Sequence, residues 1–451
     1  MSATAATQPA SKHVWNFGAG PALLNRSVLE RAQREFLDYE GSGMSLMELS
    51  HRSDLYEQLN NKAQDQLRQL MDIPENYKII FMQGGGHTQF AAVVYNLLAW
   101  RLDQNKKTNS GEQDWRNIPV DYIVTGSWSS KAVEEATRLG ANVRVVANAK
   151  TAYGGKFAGV PEEKTWLTSS KDQQAQDKSN LPAYLYYCDN ETVNGVEFPF
   201  VPSQHDVANV PLVCDMSSNI LSRKVDVTKF GVIYAGAQKN IGPAGVSVVI
   251  VREDLLKTAE LKDGMVPVPL MLDYNTMVKN NSLYNTPPMF AIYISSLVFD
   301  WLLNAEQQKL HDGAYHDQIV AAAGGRSDLV GIDAAVARNA RKASKLYNAI
   351  EQSRFCKLVV TDKPSRSRMN VPFRILVANR TADMSDEDKK KADAEDKAVE
   401  ARFVREAEAK GLFQLAGHRS VGGIRASIYN AMPEEGVDVL VQFIKDFEAQ
   451  L

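Results

Sequence analysis

The chain has few cysteines and no long apolar run, and these two features exclude several classes of protein. Its 451 residues include three cysteines, Cys188, Cys214 and Cys356, which lie too far apart for a disulfide framework or a cluster of metal ligands. The longest apolar run, at 90–100, is interrupted by Asn96 and is too short to cross a bilayer. We therefore expect a protein of a reducing compartment that has no metal site and does not enter a membrane.

A surplus of basic charge is also missing. Lys and Arg number 51 against 54 Asp and Glu, a net charge of −3, so nothing favours binding to nucleic acid or to an anionic membrane. The first residues, MSATAATQPASKH, have no apolar segment and no arginine, and are predicted to be neither a signal nor a transit peptide. The sequence thus predicts a cytoplasmic protein with small-molecule partners and a loose N-terminal tail over residues 1–11.

What the chain does contain is the pattern of an α/β protein. With 451 residues, 44% of them hydrophobic and 23% charged, it is long enough for two globular domains. Short apolar segments alternate with helical or polar segments, which predicts a mostly parallel sheet with ligands at the carboxyl ends of its strands. The predicted strands are 79–82, 122–124, 143–146, 183–187, 211–213, 232–234 and 246–251.

Lys239 lies at the centre of the segment VIYAGAQKNIGPAGVSVVIV, residues 232–251. Two β-branched runs enclose small residues, which predicts a strand, a glycine-rich bend and a second strand. A lysine held among small apolar neighbours loses hydration of its ammonium group, so its pKa falls and a neutral amine can attack an aldehyde. For this segment taken alone, a solvated loop lysine is the alternative.

Two further segments are candidate phosphate sites. GGGHTQ, residues 84–89, follows an apolar strand and precedes a predicted helix at 90–100. Its backbone amides and the positive end of the helix dipole could hold an anion, and a sharp strand-to-helix turn is the alternative. His51 and Arg52 follow a flexible GSG segment, and either bind phosphate or form an exposed polar pair.

Polar side chains follow several predicted strands. Asp215 comes directly after an apolar strand, where a carboxylate either pairs with a group such as a pyridinium N–H or caps the next turn. Thr192 and Asn194, within CDNETVNG, could present a hydroxyl and an amide to a ligand. Trp128 begins a helix after a strand, and either stacks on a flat aromatic cofactor or packs in the core.

A series of motifs, in the order GGGHTQF, GSWSSKA, NETVNGV, CDMSSN, AGAQKNIGPAG, NTPP and GHRSVGGIRAS, resembles the phosphoserine aminotransferase family. The resemblance runs from Asn16 to the C-terminus. It implies a fold-type-I, pyridoxal-phosphate-dependent transferase of class V, with a mostly parallel sheet in a large cofactor domain, 12–287, and a smaller α+β domain, 288–451. It also implies pyridoxal 5′-phosphate as the cofactor and a homodimer with shared active sites.

The resemblance assigns roles to individual residues. Lys239 would bind the cofactor aldehyde and shuttle the proton, Asp215 would pair with the pyridine nitrogen, and Trp128 would stack on the ring. Further cofactor contacts are implied for Gly86, His87, Thr192 and Gln238, and for Asn285 and Thr286 from the other subunit. Arg425 would hold the substrate α-carboxylate, and the substrate phosphate would meet His418 and Arg419 together with His51 and Arg52 of the other subunit.

The activity implied is amino transfer between L-glutamate and 3-phosphohydroxypyruvate, which gives O-phospho-L-serine and 2-oxoglutarate in serine biosynthesis. A related alanine–glyoxylate or serine–glyoxylate aminotransferase is the alternative, and it would not need His51, Arg52, His418 and Arg419 together. A cofactor-free binding protein on the same fold is the alternative of another class. Residues 314–340 and 383–396 look like insertions relative to shorter family members, and the second is a charge run that predicts a solvated loop or a helix extension.

Overall fold

The computed structural model describes residues 14–107, 114–167, 181–203, 210–256, 266–326, 329–381 and 383–451. The tail predicted over residues 1–11 lies outside the described residues. In the part of the chain that the structure describes, none of the helices combines the length and the apolar character needed to cross a membrane.

A seven-stranded sheet is the centre of the larger part of the molecule. In spatial order its strands are β2 (Tyr77–Met82), β10 (Ser247–Arg252), β9 (Val232–Gly236), β8 (Leu212–Asp215), β5 (Leu185–Cys188), β3 (Pro119–Val124) and β4 (Asn142–Asn148). The strands from β9 to β4 run parallel, and β10 alone is antiparallel to its neighbours. The predicted mostly parallel α/β sheet is therefore confirmed.

Both faces of this sheet are covered, which explains why its strands are continuous apolar runs. In β2, Ile79 and Phe81 enter one core, while Ile80 and Met82 enter the other. The first core includes side chains of α1 (Arg26–Arg34), α2 (Asp54–Met71) and α7 (Met289–Leu303). The second includes side chains of α3 (Gly85–Lys107), α4 (Ser127–Arg138) and α6 (Tyr274–Lys279).

A smaller α+β part follows. Strands β11 (Cys356–Leu358), β12 (Asn370–Ile375) and β14 (Ile424–Ser427) form an antiparallel sheet. The neighbouring helices are α8 (Ala305–Asp312), α9 (His316–Ala322), α10 (Gly331–Gln352), α11 (Asp386–Ala409) and α12 (Glu434–Glu448). Short elements complete the described fold: α5 (Ala149–Ala152), and β6 (Asn190–Glu191) paired with β7 (Val196–Glu197).

Two segments, one at each end of the predicted large domain, pack across the predicted domain boundary. Strand β1 (Trp15–Asn16) pairs with β13 (Leu412–Phe413), and Trp15 packs in the smaller core. Helix α7 starts just after Pro288, where the smaller domain is predicted to begin, but its buried side chains belong to the large core. The proposed division into residues 12–287 and 288–451 stays a prediction.

The charge run at 383–396 forms the first turns of α11, one of its two predicted forms. Asp396, within this run, is 0% exposed. Its Oδ1 accepts hydrogen bonds from Val377 N at 2.7 Å and Ala378 N at 3.0 Å, so the end of the run is part of the packed structure and is not solvated.

A buried charge network joins the two parts. Arg223 Nη2 donates to both oxygens of Asp189, at 2.7 and 2.5 Å. Arg223 Nε lies 3.7 Å from Glu197 Oε1, and Glu197 in turn accepts from Arg368 N and Nη2 at 2.8 and 3.0 Å. Because Arg368 precedes β12, this network fixes the smaller part against the carboxyl edge of the large sheet.

We expect Asp189→Ala to lower the free energy of unfolding by about 3–5 kcal/mol, because the Arg223 side chain, only 14% exposed, loses its nearest carboxylate. Urea unfolding followed by circular dichroism measures this loss. Asp254→Ala is the matched control, since its pair with Arg252 has a carboxylate 54% exposed and should contribute less than about 1 kcal/mol. Equal losses in the two variants would show that the buried network stabilises the fold no more than an exposed ion pair does.

Candidate active site

Several segments meet around Lys239 at the carboxyl edge of the large sheet. Lys239 lies in the bend between β9 and β10, as the sequence predicts. Lys239 N and Gly242 N both donate to Ala237 O at 2.7 Å, which closes the bend. A Cβ atom on Gly242 would lie 2.7 Å from Ser295 Oγ of α7, so the bend can pack against this helix only with glycine at that position.

The environment of Lys239 favours a neutral amine. Its side chain is half-buried, and Nζ donates to Thr192 Oγ1 at 2.7 Å. Nζ also lies 5.8 Å from the centroid of the Trp128 ring. Loss of water lowers the pKa of Lys239, and the positive charge of Arg425 lowers it further, while Asp215 acts in the opposite direction. The structure therefore has the pKa direction that the sequence predicts.

Asp215 is the last residue of β8 and is 5% exposed. Its Oδ1 accepts a hydrogen bond from Ser217 N at 2.8 Å, and among the described residues it forms no salt bridge. Its Oδ2 faces Gly86, where a Cβ atom would lie 3.9 Å away. A buried carboxylate with one oxygen open and no basic partner fits the protonated nitrogen of a pyridine ring.

The start of α3 provides an open row of backbone amides beside this carboxylate. The helix begins at Gly85, before the predicted start, because Gly84 and Gly85 adopt φ of +96° and +69° and turn the chain sharply out of β2. Ser217 Oγ, which accepts from Gly236 N at 3.0 Å, would lie 3.8 Å from a Cβ on Gly86. This glycine-lined cradle leaves room for a phosphate at a helix N-terminus.

Three other predicted cofactor residues lie close by. Gln238 is half-buried and precedes Lys239 in the bend. His87 is exposed at the start of α3, and its ring lies 5.5 Å from that of Trp128 at an interplanar angle of 80°. Trp128 is the second residue of α4, and its buried Nε1 has no hydrogen-bond partner among the described residues. Thus the structure brings His87 and Lys239 to the same indole ring.

Thr192 and Asn194 have different functions in the structure. Thr192 accepts from Lys239 Nζ, so its hydroxyl does face the candidate site. Asn194 does not: its Oδ1 accepts from Ser127 N at 2.9 Å and Ser127 Oγ at 3.0 Å, and so caps α4. A ligand contact therefore stays a prediction for Thr192, whereas the amide oxygen of Asn194 is occupied by the start of α4.

Arg425, on β14, has its guanidinium beside Thr192, with Nη1 3.4 Å from Thr192 O. Its buried Nε has no hydrogen-bond partner, and no carboxylate forms a salt bridge with it in the described part of the chain. Burial lowers the pKa of Arg425. A half-buried, unpaired guanidinium next to Lys239 fits the carboxylate of a substrate, which would supply two acceptor oxygens.

His418 and Arg419 lie on the adjoining turn, which Gly417 N and Gly423 O close at 2.8 Å. His418 Nδ1 is 2.7 Å from Ser420 Oγ. The pKa of His418 is lowered by partial burial first, and then by the positive charges of Arg425, Arg419 and Lys131. Arg425, Arg419 and Lys131 therefore form one positive cluster beside the His418 imidazole.

The remaining predicted residues form a separate group on the surface. His51 Nδ1 lies 3.3 Å from Thr286 Oγ1, and Gln83 Nε2 donates to Thr286 O at 3.0 Å. Arg52 is exposed and Asn285 is half-buried, each adjacent in sequence to one of the two contacting residues. The structure thus brings together within one chain the two segments that were predicted to act from the other subunit.

Sequence reasoning did not single out three residues of the site. Ser217 is in CDMSSN, and Glu191 precedes Thr192 in NETVNG. Lys131 follows Trp128 by three positions, and its Nζ lies 5.2 Å from that ring centroid. The (i, i+3) spacing on a helix was a usable signal for Lys131. For the other two, only the folded contacts show a function.

Comparison with known proteins agrees with this geometry. Residues 14–326 match the family described as "Aminotransferase class-V". A phosphoserine aminotransferase of Laribacter hongkongensis is 43% identical, over 96% of this chain and 98% of the relative. The solved phosphoserine aminotransferase from Bacillus circulans subsp. alkalophilus is 39% identical with a TM-score of 0.76, covering 98% of this chain and 99% of that one. The PLP-bound enzyme from Trichomonas vaginalis is 37% identical with a TM-score of 0.73, covering 96% of this chain and 100% of that one.

We expect Lys239→Ala to abolish covalent attachment of pyridoxal 5′-phosphate and to lower turnover by several orders of magnitude, because the nucleophilic amine is gone. Borohydride reduction followed by peptide mass spectrometry locates the attached cofactor. Lys131→Ala is the matched control, because it removes the other amine beside Trp128 and should leave the attachment intact. Attachment at a lysine other than Lys239 in the unsubstituted protein would contradict the assignment.

Proposed function

The chain belongs to the class-V aminotransferase family, and we propose that it is a phosphoserine aminotransferase, which transfers the amino group between L-glutamate and 3-phosphohydroxypyruvate. The products are O-phospho-L-serine and 2-oxoglutarate, in serine biosynthesis. The observation that carries this proposal is Arg425 beside Lys239, without a carboxylate partner among the described residues, next to the positive charge of Arg419 and the imidazole of His418. One group suits the carboxylate and the other the phosphate of the same substrate.

The cofactor is pyridoxal 5′-phosphate, which supplies an electron sink for the carbanion formed at the substrate Cα. We propose that Lys239 binds it through the neutral amine and that Asp215 Oδ2 accepts the N–H of its pyridine ring. Trp128 would cover one face of the ring, and Thr192 would donate to its phenolic oxygen. The phosphate contacts would come from Gly86, His87 and Gln238, and from Asn285 and Thr286 of the other subunit.

The residues of the chain also have to orient the substrate and move a proton. Arg425 would hold the α-carboxylate with its two free N–H directions, which fixes the Cα–H bond relative to Lys239. Lys239 Nζ would then take the proton from Cα and deliver it to the cofactor carbon that carried the aldehyde, since a lowered pKa lets the amine act as a base near neutral pH. The hydrogen bond from Nζ to Thr192 Oγ1, 2.7 Å long, restricts the orientation of the amine.

The positive cluster distinguishes this activity from the alternative aminotransferases. Alanine and glyoxylate carry no second anionic group, so Arg419 would have no counter-ion from the substrate in such an enzyme. A phosphate dianion supplies one, and it explains why basic groups converge in a chain of net charge −3. The alternative of a cofactor-free binding protein gives no reason for an unpaired carboxylate at Asp215 beside a lysine of lowered pKa.

We further infer a homodimer whose active sites are shared between subunits. The segment before His51 exposes large apolar side chains: Phe36 is 42% exposed, Leu37 81% and Met47 58%. Such a patch favours self-association, and the neighbouring His51 would then be carried into the partner's site. A cytoplasmic location is also proposed, because all three cysteines are unpaired and buried, as suits a reducing compartment.

Arg419→Ala should lower kcat/KM for 3-phosphohydroxypyruvate by about 10- to 100-fold, the loss of one charge-assisted hydrogen bond. The half-reaction with glutamate should change far less, because it brings no phosphate. Single-turnover absorbance of the cofactor measures each half-reaction separately. Arg354→Ala, which removes an arginine 75% exposed in the same part of the chain, is the control. Equal losses in the two half-reactions would argue against a phosphate contact.

Subunit mixing tests the shared site. Lys239→Ala and Arg52→Ala should each be nearly inactive, but a mixed dimer has one site with both residues intact if Arg52 acts across the interface. Random exchange makes about half of the dimers mixed, with one good site of two, so activity should recover to about a quarter of that of the unsubstituted enzyme.

The matched control for this mixing combines Lys239→Ala with Arg425→Ala. Both residues lie in one chain near Thr192, so no mixed dimer can contain an intact site, and activity should stay low. Native mass spectrometry confirms the exchange. If exchange is complete and the Lys239→Ala and Arg52→Ala mixture stays inactive, Arg52 does not act across the interface.

A further inference from the structure

A buried carboxylate, Glu191, is used by no step described above. It is 0% exposed, and within the described residues no basic side chain forms a salt bridge with it. Its Oε2 accepts from Trp128 N at 2.8 Å, and its Oε1 accepts from Ser129 N at 2.8 Å and Ser129 Oγ at 2.5 Å. Every one of these donors belongs to the first turn of α4.

We propose that Glu191 is a positioning residue: it fixes the first turn of α4, and with it the Trp128 ring, relative to the reactive amine of Lys239. The inference rests on the proposed function only where it uses Trp128 as the surface that covers the cofactor ring.

A carboxylate is the side chain that this position requires. The first N–H groups of a helix have no partner within the helix, and the residue before α4 is Gly126, which has no side chain to cap it. Asn194 takes Ser127 N, which leaves Trp128 N and Ser129 N for Glu191. The two N–H groups donate to different oxygens of Glu191, and a negative charge is favoured at this end of the helix dipole. An amide has only one acceptor oxygen.

Burial raises the pKa of Glu191 to about 7, although the hydrogen bonds from Ser129 and Trp128 lower it. Above that pH the side chain is an anion, so the carboxylate described here is the charged form at a mildly alkaline assay pH.

The backbone around α4 is shaped for this contact. A Cβ atom on Gly126 would lie 2.4 Å from Glu191 Cδ, so the carboxylate packs against a backbone position that only glycine permits. Ser129 Oγ, which donates to Glu191, accepts from Thr125 N at 3.0 Å and Gly126 N at 3.1 Å. The junction between β3 and α4 is therefore held from both sides.

The loop that contains Glu191 also contacts Lys239 and Arg425. Thr192, the next residue, accepts from Lys239 Nζ at 2.7 Å, and its carbonyl oxygen is 3.4 Å from Arg425 Nη1. One pair of adjacent residues thus positions the indole ring, the amine and the guanidinium. Displacing Glu191 would move Trp128 relative to Lys239, from whose Nζ the ring centroid is now 5.8 Å distant.

The test compares Glu191→Gln with Glu134→Gln, the same chemical change at an exposed position of α4. In cofactor-free protein, hydrogen exchange of the amides of Trp128 and Ser129 should become faster by about tenfold in Glu191→Gln, because one hydrogen bond is lost. In loaded protein, kcat per bound cofactor should fall by about 10- to 100-fold in both half-reactions, since a small misplacement of the ring affects both. The KM for 3-phosphohydroxypyruvate should change less than about threefold, because the phosphate contacts are intact.

Two results would overturn the proposal. One is unchanged exchange at Trp128 and Ser129. The other is a normal kcat per bound cofactor in a protein that is merely less stable. If Glu191→Gln does not fold, Ser129→Ala removes only the hydroxyl donor and should give the same changes in smaller size, and normal values there also overturn the proposal. Failure of the unsubstituted enzyme to convert 3-phosphohydroxypyruvate would refute the proposed function alone, because the exchange measurement does not depend on the substrate.

Discussion

A lysine amine that is removed from water loses much of the solvation that keeps it charged, and the candidate site is arranged around this effect at Lys239. The bend between β9 and β10 withdraws the side chain from solvent, and Thr192 gives Nζ one hydrogen-bond acceptor at 2.7 Å. A carboxylate in contact with Nζ would raise the pKa again and so cancel the effect of burial. Asp215, whose negative charge raises the pKa of Lys239, forms no salt bridge with Nζ among the described residues.

Two other charged groups of the site have no charged partner in the described part of the chain. Arg425 has a buried Nε without a partner, and Asp215 has no salt bridge among the described residues. Unpaired buried groups lower the stability of the free protein, and ligands that supply the missing partners regain that free energy. The contact of Arg223 with Asp189 is the opposite case, in which two buried charged groups pair with each other. Paired groups of this kind stabilise the fold, and we propose that Arg425 and Asp215 find their partners in the substrate and the cofactor.

Much of this arrangement could be predicted from the sequence, where local patterns suffice. Apolar runs give the strands, and small residues around Lys239 give the bend. The start of α3 at Gly85 could not be predicted so well, because glycine normally opposes helix and the positive φ of Gly84 becomes visible only in the folded turn. Asn194 was expected to face a ligand and instead caps α4, since both uses suit an amide in a loop. Glu191 gave no periodic signal, because its partners are backbone amides that lie 62 and 63 positions away.

We propose that the two anionic groups of one substrate meet two separate basic groups of the site. Steady-state rates with glutamate as the amino donor, measured in parallel for 3-phosphohydroxypyruvate, pyruvate and glyoxylate, test this claim most directly. The account predicts that kcat/KM is at least about a hundredfold higher for 3-phosphohydroxypyruvate, because its phosphate adds charge-assisted hydrogen bonds of about 1.5–3 kcal/mol each. Equal or higher values for glyoxylate or pyruvate would contradict it.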